Sequence, residues 1–270
     1  MWGIGDLAIA TPFLRAATER FDVTLLAKPH ARELQARFWP EVRLVPFVAP
    51  WTAFRGKYRL WQWPWRELLA LRRTLNAERF DFGLSARPDP RDHPFLKWLG
   101  AENRLGFPNR GSGIFLTNSL AEPDSMAHRY EFWRVAGQAL GLDLPPREKL
   151  PVPARSGRQV VLVHSGARLA ARVWPLGYYH ALVQRLRTVG YTVQVVCDPE
   201  QHNSWVALGE TTVVSPRTLG ELFGLFDRAA VFIGNCSGPG HLAADSGVPT
   251  FTYFGPSLPE WFARPHPQAQ

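Results

Sequence analysis

The sequence predicts an α/β chain in two halves, each a parallel sheet covered by helices. Three observations predict it. Apolar runs of strand length alternate with helical patterns along nearly the whole chain. The 270 residues leave room for two domains of ordinary size. A segment at 142–157, holding Pro145, Pro146, Pro151 and Pro153, is the best linker between them. The expected division is 1–150 and 151–270, with a ligand in the cleft between the halves, against the carboxyl ends of the strands.

In the first half, residues 7–20 fit an amphipathic helix, 23–27 a buried strand, 30–38 a helix and 42–46 a strand. Residues 51–65 are loop-like and hold four of the eleven tryptophans. Residues 66–78 return to helix, 80–85 to strand and 126–140 to helix. In the second half the strands are expected at 159–164, 191–196, 212–214, 230–233 and 250–253, and the helices at 176–188, 201–208, 219–227 and 240–245. Met1-Trp-Gly-Ile-Gly-Asp6 has the form of a turn delivered by a strand, yet no strand stands ahead of it. The first domain is therefore expected to lack its first strand, as from a misplaced or truncated start.

Composition narrows the function classes. Hydrophobic residues at 46% and charged residues at 20% give a real core and exclude wholesale disorder. The longest apolar runs, 160–163 and 229–233, fall far short of the ~20 residues of a membrane helix. No basic-then-apolar leader is visible, so a cytoplasmic, soluble chain is expected. Cys197 and Cys236 are too few for a disulfide framework and lack zinc-site spacing. The net charge of +8 is uneven: 22 basic against 16 acidic residues up to 150, and 9 against 7 beyond it. A basic, aromatic-rich first half suits a polyanionic partner, either nucleic acid, a lipid phosphate surface or a phosphorylated substrate. No zinc finger, RRM signature or long basic helix supports nucleic acid.

The strongest local signal is Ile233-Gly-Asn-Cys-Ser-Gly-Pro-Gly-His-Leu-Ala-Ala244: strand, glycine-rich turn, helix start. Amides at a helix N-terminus and its partial positive charge favour a phosphate there. Gly234 and Gly238 allow close backbone approach, Ser237 can donate a hydroxyl, and His241 lies in the first helical turn. The plain alternative is a tight turn with Ser237 as helix cap. The second signal is Val163-His-Ser-Gly-Ala167, followed by Arg168, Arg172 and Trp174-Pro175. Ser165 and Gly166 suit phosphate contacts, and Arg172 can neutralise a diphosphate, while His164 reads as a packed strand-end residue. The third is Gly3-Ile-Gly-Asp6, whose Asp6 is either an N-cap or a general base facing the cleft. In Cys197-Asp-Pro-Glu200 an acid can bind a nucleotide ribose, or form only a solvated pair of charges. The 51–65 stretch, with Arg55, Lys57, Arg59 and Arg66, can grip sugars, lipid phosphates or a membrane surface, or pack beneath a loop.

These pieces, in this order, resemble glycosyltransferase family 9, the ADP-heptose:lipopolysaccharide heptosyltransferases. The likeness runs from Gly5-Asp6 with Thr11-Pro12-Phe-Leu-Arg15, through His164-Ser-Gly-Ala167 and Arg172-Val-Trp-Pro175, to Leu219-Gly-Glu-Leu222, Gly234–Ala243 and Phe254-Gly-Pro256. It implies a GT-B fold, two Rossmann-like domains facing across a cleft. It implies inverting transfer without a metal ion or a cofactor beyond the nucleotide-sugar donor, with ADP-heptose as the expected donor. The acceptor, a lipopolysaccharide core or other lipid-linked glycan, would bind the first domain and the donor the second. Peripheral contact with the inner membrane is expected, and nucleic acid is not. The family's catalytic aspartate falls on Asp6, its basic phosphate-binding residue on Arg172 and its acidic ribose-binding residue on Glu200. Ser237, Gly238 and His241 match its diphosphate-binding helix start. Cys236 stands where the family usually has an aspartate that contacts the donor sugar, and a thiol cannot accept two hydrogen bonds as a carboxylate can. Relative to typical members the chain lacks the first strand and the final helix that packs back on the other domain. The competing readings are a non-catalytic or degenerate nucleotide-sugar-binding protein and a nucleotide-sugar epimerase or hydrolase.

Overall fold

The structure, a computed structural model, describes residues 3–52, 59–153 and 159–263. Arg55 and Lys57 of the aromatic stretch lie outside them. The first half runs α1 (Ile4–Thr18), β1 (Thr24–Ala27), α2 (Ala31–Phe38), β2 (Arg43–Pro46), α3 (Trp65–Glu78) and β3 (Phe82–Ser85). It continues with α4 (Asp92–Trp98), β4 (Asn103–Gly106), β5 (Asn118–Ser119) and α5 (Tyr130–Ala139). The second half runs β6 (Val160–His164), α6 (Leu176–Thr188), β7 (Thr192–Val196), α7 (His202–Ala207) and α8 (Leu219–Phe226). It ends with β8 (Ala229–Asn235), α9 (Gly238–Asp245), β9 (Thr250–Tyr253) and α10 (Pro259–Phe262).

The second-half sheet has the order β7-β6-β8-β9, and each of its strand pairs is parallel. Val161, Leu162 and Val163 of the central strand β6 are all buried, as a strand covered on both faces requires. Chain order reverses between β6, which pairs with β7 on one side, and β8 on the other. A crevice opens at such a switch point, at the carboxyl ends of the two strands. That places His164-Ser165-Gly166 and Gly234 to Ser237 side by side. The strand expected at 212–214 is reduced to a single bridge between Val196 and Val214.

The first half holds two smaller parallel sheets, β1-β2 and β3-β4-β5. Among the described residues β1 and β3 do not pair, and a cavity of about 920 Å³ lies between them. α4, β4 and β5 are additions to the elements expected from sequence. The strand β4 (Asn-Arg-Leu-Gly) offers one large apolar residue and β5 (Asn-Ser) none, so periodicity has nothing to register.

One continuous core joins the halves, from Leu7 of α1 to Val248 beyond α9. α1 is its axle, with Leu7, Ala8, Ala10, Thr11, Phe13, Leu14 and Ala17 all buried. Between α2 and α8, Arg37 pairs with Asp227 at 2.5 Å, Glu33 accepts the Gly220 amide at 2.6 Å, and Phe38 meets Phe223 edge-on. The four residues of α10 reach the first half: the Arg129 amide donates to the Trp261 carbonyl at 3.0 Å and the Trp261 indole to the Ser125 carbonyl at 2.9 Å.

At the far end of the second-half sheet, Glu210 is buried and receives both Arg187 guanidinium nitrogens, at 2.6 and 3.1 Å, and the Thr212 hydroxyl at 2.6 Å. The Arg187 hydrogen bonds hold the Glu210 carboxyl below the usual carboxylate range. The pair's stabilisation is then complete above the unfolded carboxylate pKa of ~4.3 and is lost as pH falls through the lower folded value. Arg187 is one-third exposed, so Arg187→Ala should cost about 2 kcal/mol at pH 7, below the full penalty for a buried pair. Urea unfolding at pH 7 and pH 3 checks this, with the gap between variant and parent narrowing at the lower pH.

Candidate active site at the meeting of two helix starts

The turn after β6 is locked from within. Ser165 is fully buried, and its hydroxyl donates to Gln201 and accepts from the Trp205 indole, both at 2.9 Å. Its side chain therefore holds the turn to α7 and is not presented to the crevice. A methyl group on Gly166 would collide with the Asp198 carboxylate, so glycine is what lets Asp198 lie against this turn. His164 is buried against the Phe232 ring, with Asp198 at 3.9 Å. Burial pushes its imidazole pKa down, which keeps it neutral as a strand-end packing residue.

Asn235, at the end of β8, ties this turn to the rest of the site. Its amide nitrogen donates to the carbonyls of Ser165 (2.8 Å) and Gly166 (3.3 Å). Its oxygen accepts the Trp174 amide and the Tyr179 hydroxyl, both at 2.9 Å. One fully buried side chain thus fixes the β6 turn, the segment carrying Arg172 and the start of α6. Sequence reasoning passed over Asn235, Gln201 and Trp205. The signal for Asn235 was its place at the mouth of a glycine-rich turn, where an amide can serve two carbonyls at once.

At the opening of α9, Ser237 occupies the N-cap position in extended conformation, but its side chain makes no capping hydrogen bond. Its hydroxyl oxygen is buried with no protein partner in the structure. The amides of Ser237, Gly238 and Gly240 open the helix, and Pro239 contributes none. Cys236 is buried beside them, its amide donating to the Tyr253 carbonyl at 2.9 Å. Burial pushes its thiol pKa up while the Arg172 guanidinium pulls it down, so the thiol stays neutral at pH 7. The Arg172 charge is thus felt at Cys236, beside this helix start. The Arg172 backbone lies against Gly255, where a methyl would meet the Ala171 oxygen at 2.9 Å.

From the other half, α1 brings Asp6. The carboxylate accepts the Gly3 amide at 2.8 Å through Oδ2, so it caps its own helix. A carboxylate oxygen remains beyond that bond. The two helix starts touch. A methyl on Gly238 would lie 3.3 Å from Cβ of Ile4, and one on Gly5 would lie 2.7 Å from the His241 ring. His241 therefore packs on the α1 backbone, near the Phe262 ring at 6.2 Å. Asp6, Arg172, Cys236, Ser237, Gly238 and His241 are assembled in one place. Glu200 is exposed on the turn after β7, two residues beyond Asp198. Among the described residues, no three His, Cys, Asp or Glu side chains converge as a metal set.

Residues 68–269 match Glycosyltransferase family 9 (heptosyltransferase). The chain belongs to glycosyltransferase family 9. A curated family relative, lipopolysaccharide heptosyltransferase 3 of Escherichia coli, is 29% identical over 108 residues, which span 37% of this chain and 32% of the relative. The E. coli heptosyltransferase WaaC with ADP superposes with a TM-score of 0.77 at 17% identity, over 98% of this chain and 89% of that one. A glycosyl transferase family 9 structure from Veillonella parvula gives 0.78 at 17% identity, over 99% and 83%. The fold is GT-B, as in these neighbours.

Asn235→Ala would remove the partner of the Tyr179 hydroxyl and of the Gly166 carbonyl inside the second half. The expected loss is roughly 2–4 kcal/mol, at 1–3 kcal/mol per buried unpaired group. Equilibrium denaturation measures it, and a loss under ~1 kcal/mol would show that another group holds these turns.

Proposed function

We propose that this family 9 member is an inverting glycosyltransferase that moves a sugar, heptose or a relative, from a nucleoside diphosphate donor to a hydroxyl of a lipopolysaccharide-core or other lipid-linked glycan. The observation that carries the reading is the contact of the α1 and α9 starts, which sets a carboxylate from one half beside an anion-binding helix opening from the other. The ADP bound by WaaC supports an ADP-linked donor.

In this reading, the α9 amides and the Ser237 hydroxyl hold the diphosphate, and Arg172 neutralises it. The acidic turn after β7, Asp198 against Gly166 and the exposed Glu200 two residues on, supplies acceptors for the ribose hydroxyls. Asp6 accepts the proton of the acceptor hydroxyl as its oxygen attacks the anomeric carbon. The bond from that carbon to the diphosphate oxygen breaks, and its electron pair leaves with the diphosphate. Arg172 and the helix start stabilise that charge as it forms, the part a metal ion plays in other transferases. Attack opposite the leaving group inverts the anomeric centre. The buried, neutral thiol of Cys236 also favours a second reading, a donor-binding protein without turnover.

Membrane contact belongs to the same proposal. No helix among the described residues is long and apolar enough to cross a membrane. Leu60, Trp61, Trp65 and Leu69 are exposed together, Trp61 at 77%. Arg66, Arg72 and Arg73 are exposed on the same helix, α3. Indole rings and arginines at one surface suit the headgroup layer of an anionic leaflet.

Asp6→Asn should lower transfer by ~10²–10⁴-fold, the usual contribution of a general base, while ADP affinity by calorimetry changes less than about twofold. Unchanged turnover would remove the base assignment, and ADP binding without turnover by the parent would establish the second reading. For the membrane face, Arg66→Glu with Arg73→Glu should lower partitioning onto anionic vesicles at least ~10-fold in a sedimentation assay, at ~1 kcal/mol per basic residue. Equal partitioning onto neutral vesicles would remove the electrostatic part.

A further inference from the structure

We propose that the turn at Ser112–Phe115 is a second membrane anchor, which sets Ile114 into an anionic bilayer at the far end of α3 from Trp61. This anchor rests on the α3 membrane reading above and adds a second point of contact to it. Ile114 is 82% exposed, the highest value for a large apolar side chain among the described residues. That exposure is imposed by the fold. Ahead of Ile114 the backbone turns through Arg110 and Gly111, at φ 49° and 80°. Ser112 is buried, and its hydroxyl accepts the Asn109 amide at 3.1 Å and shares a 2.8 Å hydrogen bond with the fully buried His93. The carbonyls on either side of Ile114 are tied as well. Gly113 accepts the Leu116 amide at 2.9 Å, and Phe115 accepts the Arg104 guanidinium at 2.7 Å. An apolar side chain held out in water by a fixed turn gains by entering hydrocarbon, and has little backbone freedom left to lose.

The turn is continuous with the α3 surface. Trp65, Leu69 and Arg72 are exposed and recur at helical spacing on one face of α3. Near the end of that helix the Arg72 guanidinium lies over the Trp98 ring of α4, 5.3 Å from its centroid. The neighbouring Lys97 ammonium lies 6.0 Å from the Phe115 ring, and Phe115 adjoins Ile114. One stripe thus leads from the indoles at the start of α3 to the isoleucine beyond its end. The 14 residues of α3 span about 20 Å, so anchors at both ends would hold the helix along a surface and not upright on it.

Charge identifies the partner. Arg66, Arg72, Arg73 and Lys97 lie exposed between the two anchors. The acids of α3 are Glu67 and Glu78, and Glu78 is paired with Arg43. Apolar tips framed by cations match acyl chains beneath phosphate head groups. A second copy of this chain would bring the same positive face and be repelled by it.

The test uses Ile114→Cys carrying an NBD fluorophore, which reaches that site alone because Cys197 and Cys236 are buried. Val189→Cys, on the second half and 64% exposed in the parent, is the control. Vesicles contain equal parts phosphatidylethanolamine and phosphatidylglycerol. At position 114 the emission should shift to the blue on vesicle binding and be quenched by nitroxide-labelled acyl chains, and at 189 it should do neither. In sedimentation, Ile114→Ser should lower partitioning about tenfold at low and at high salt alike, because its part is apolar. A label at 114 that stays in water on vesicle-bound protein, or partitioning of Ile114→Ser equal to the parent, would overturn the anchor and leave the α3 contact standing. A parent that does not sediment with these vesicles would remove both. A blue shift at 114 without vesicles, together with a dimer mass, would make the occupant a second copy and overturn the proposal.

Discussion

Two helix N-termini meet at Gly5 and Gly238, and the rest of the cleft depends on that approach. Each helix start carries partial positive charge, so bringing two together is unfavourable without an anion between them. Asp6 supplies one fixed negative charge, already bonded to the Gly3 amide. At the α9 opening the Ser237 hydroxyl has no protein partner, which leaves a donor there for a further anion. A methyl at Gly5 would press into the His241 ring of the opposite half, and one at Gly238 would need Ile4 to give by a few tenths of an ångström. In the proposed reading, the same geometry that seals the halves together also receives a phosphate in the seam.

The donor side is rigid for a separate reason. Asn235 spends its amide on four backbone or hydroxyl groups from three different segments. Arg172 inherits its position from this hub through Trp174, two residues on, and from the close pass of Gly255 behind it. Its guanidinium can thus be presented to a diphosphate without ordering a loop first, which is where preorganised electrostatic stabilisation gains over a solvent-exposed arginine.

Where the sequence spoke clearly, burial was the reason. β6, β7 and β8 lie under helices on both faces and so appear as apolar runs, and the α9 motif followed from the strand, glycine turn and helix start being contiguous. β4 and β5 are short and polar, and left no periodic trace. Ser165 was legible as a small turn residue, but its actual partner, Trp205, lies 40 positions away and no local pattern points to it. Asp6 was legible as both cap and base because the two roles use different oxygens of one carboxylate. Its proximity to α9 is a tertiary fact that only the folded chain displays.

Cys236 shifts the balance of the site. A carboxylate at that position would offer the donor sugar two hydrogen-bond acceptors, and would also set a negative charge beside the leaving diphosphate. The buried neutral thiol does neither. In the proposed reading, less repulsion at the α9 opening favours diphosphate binding through Arg172 and the amides, while the hydroxyls of the sugar lose a pair of acceptors. This gives, in that reading, a donor pocket that holds the nucleotide more selectively than the sugar, and leaves the choice of transferred sugar to the acceptor-side half, across the seam at Asp6.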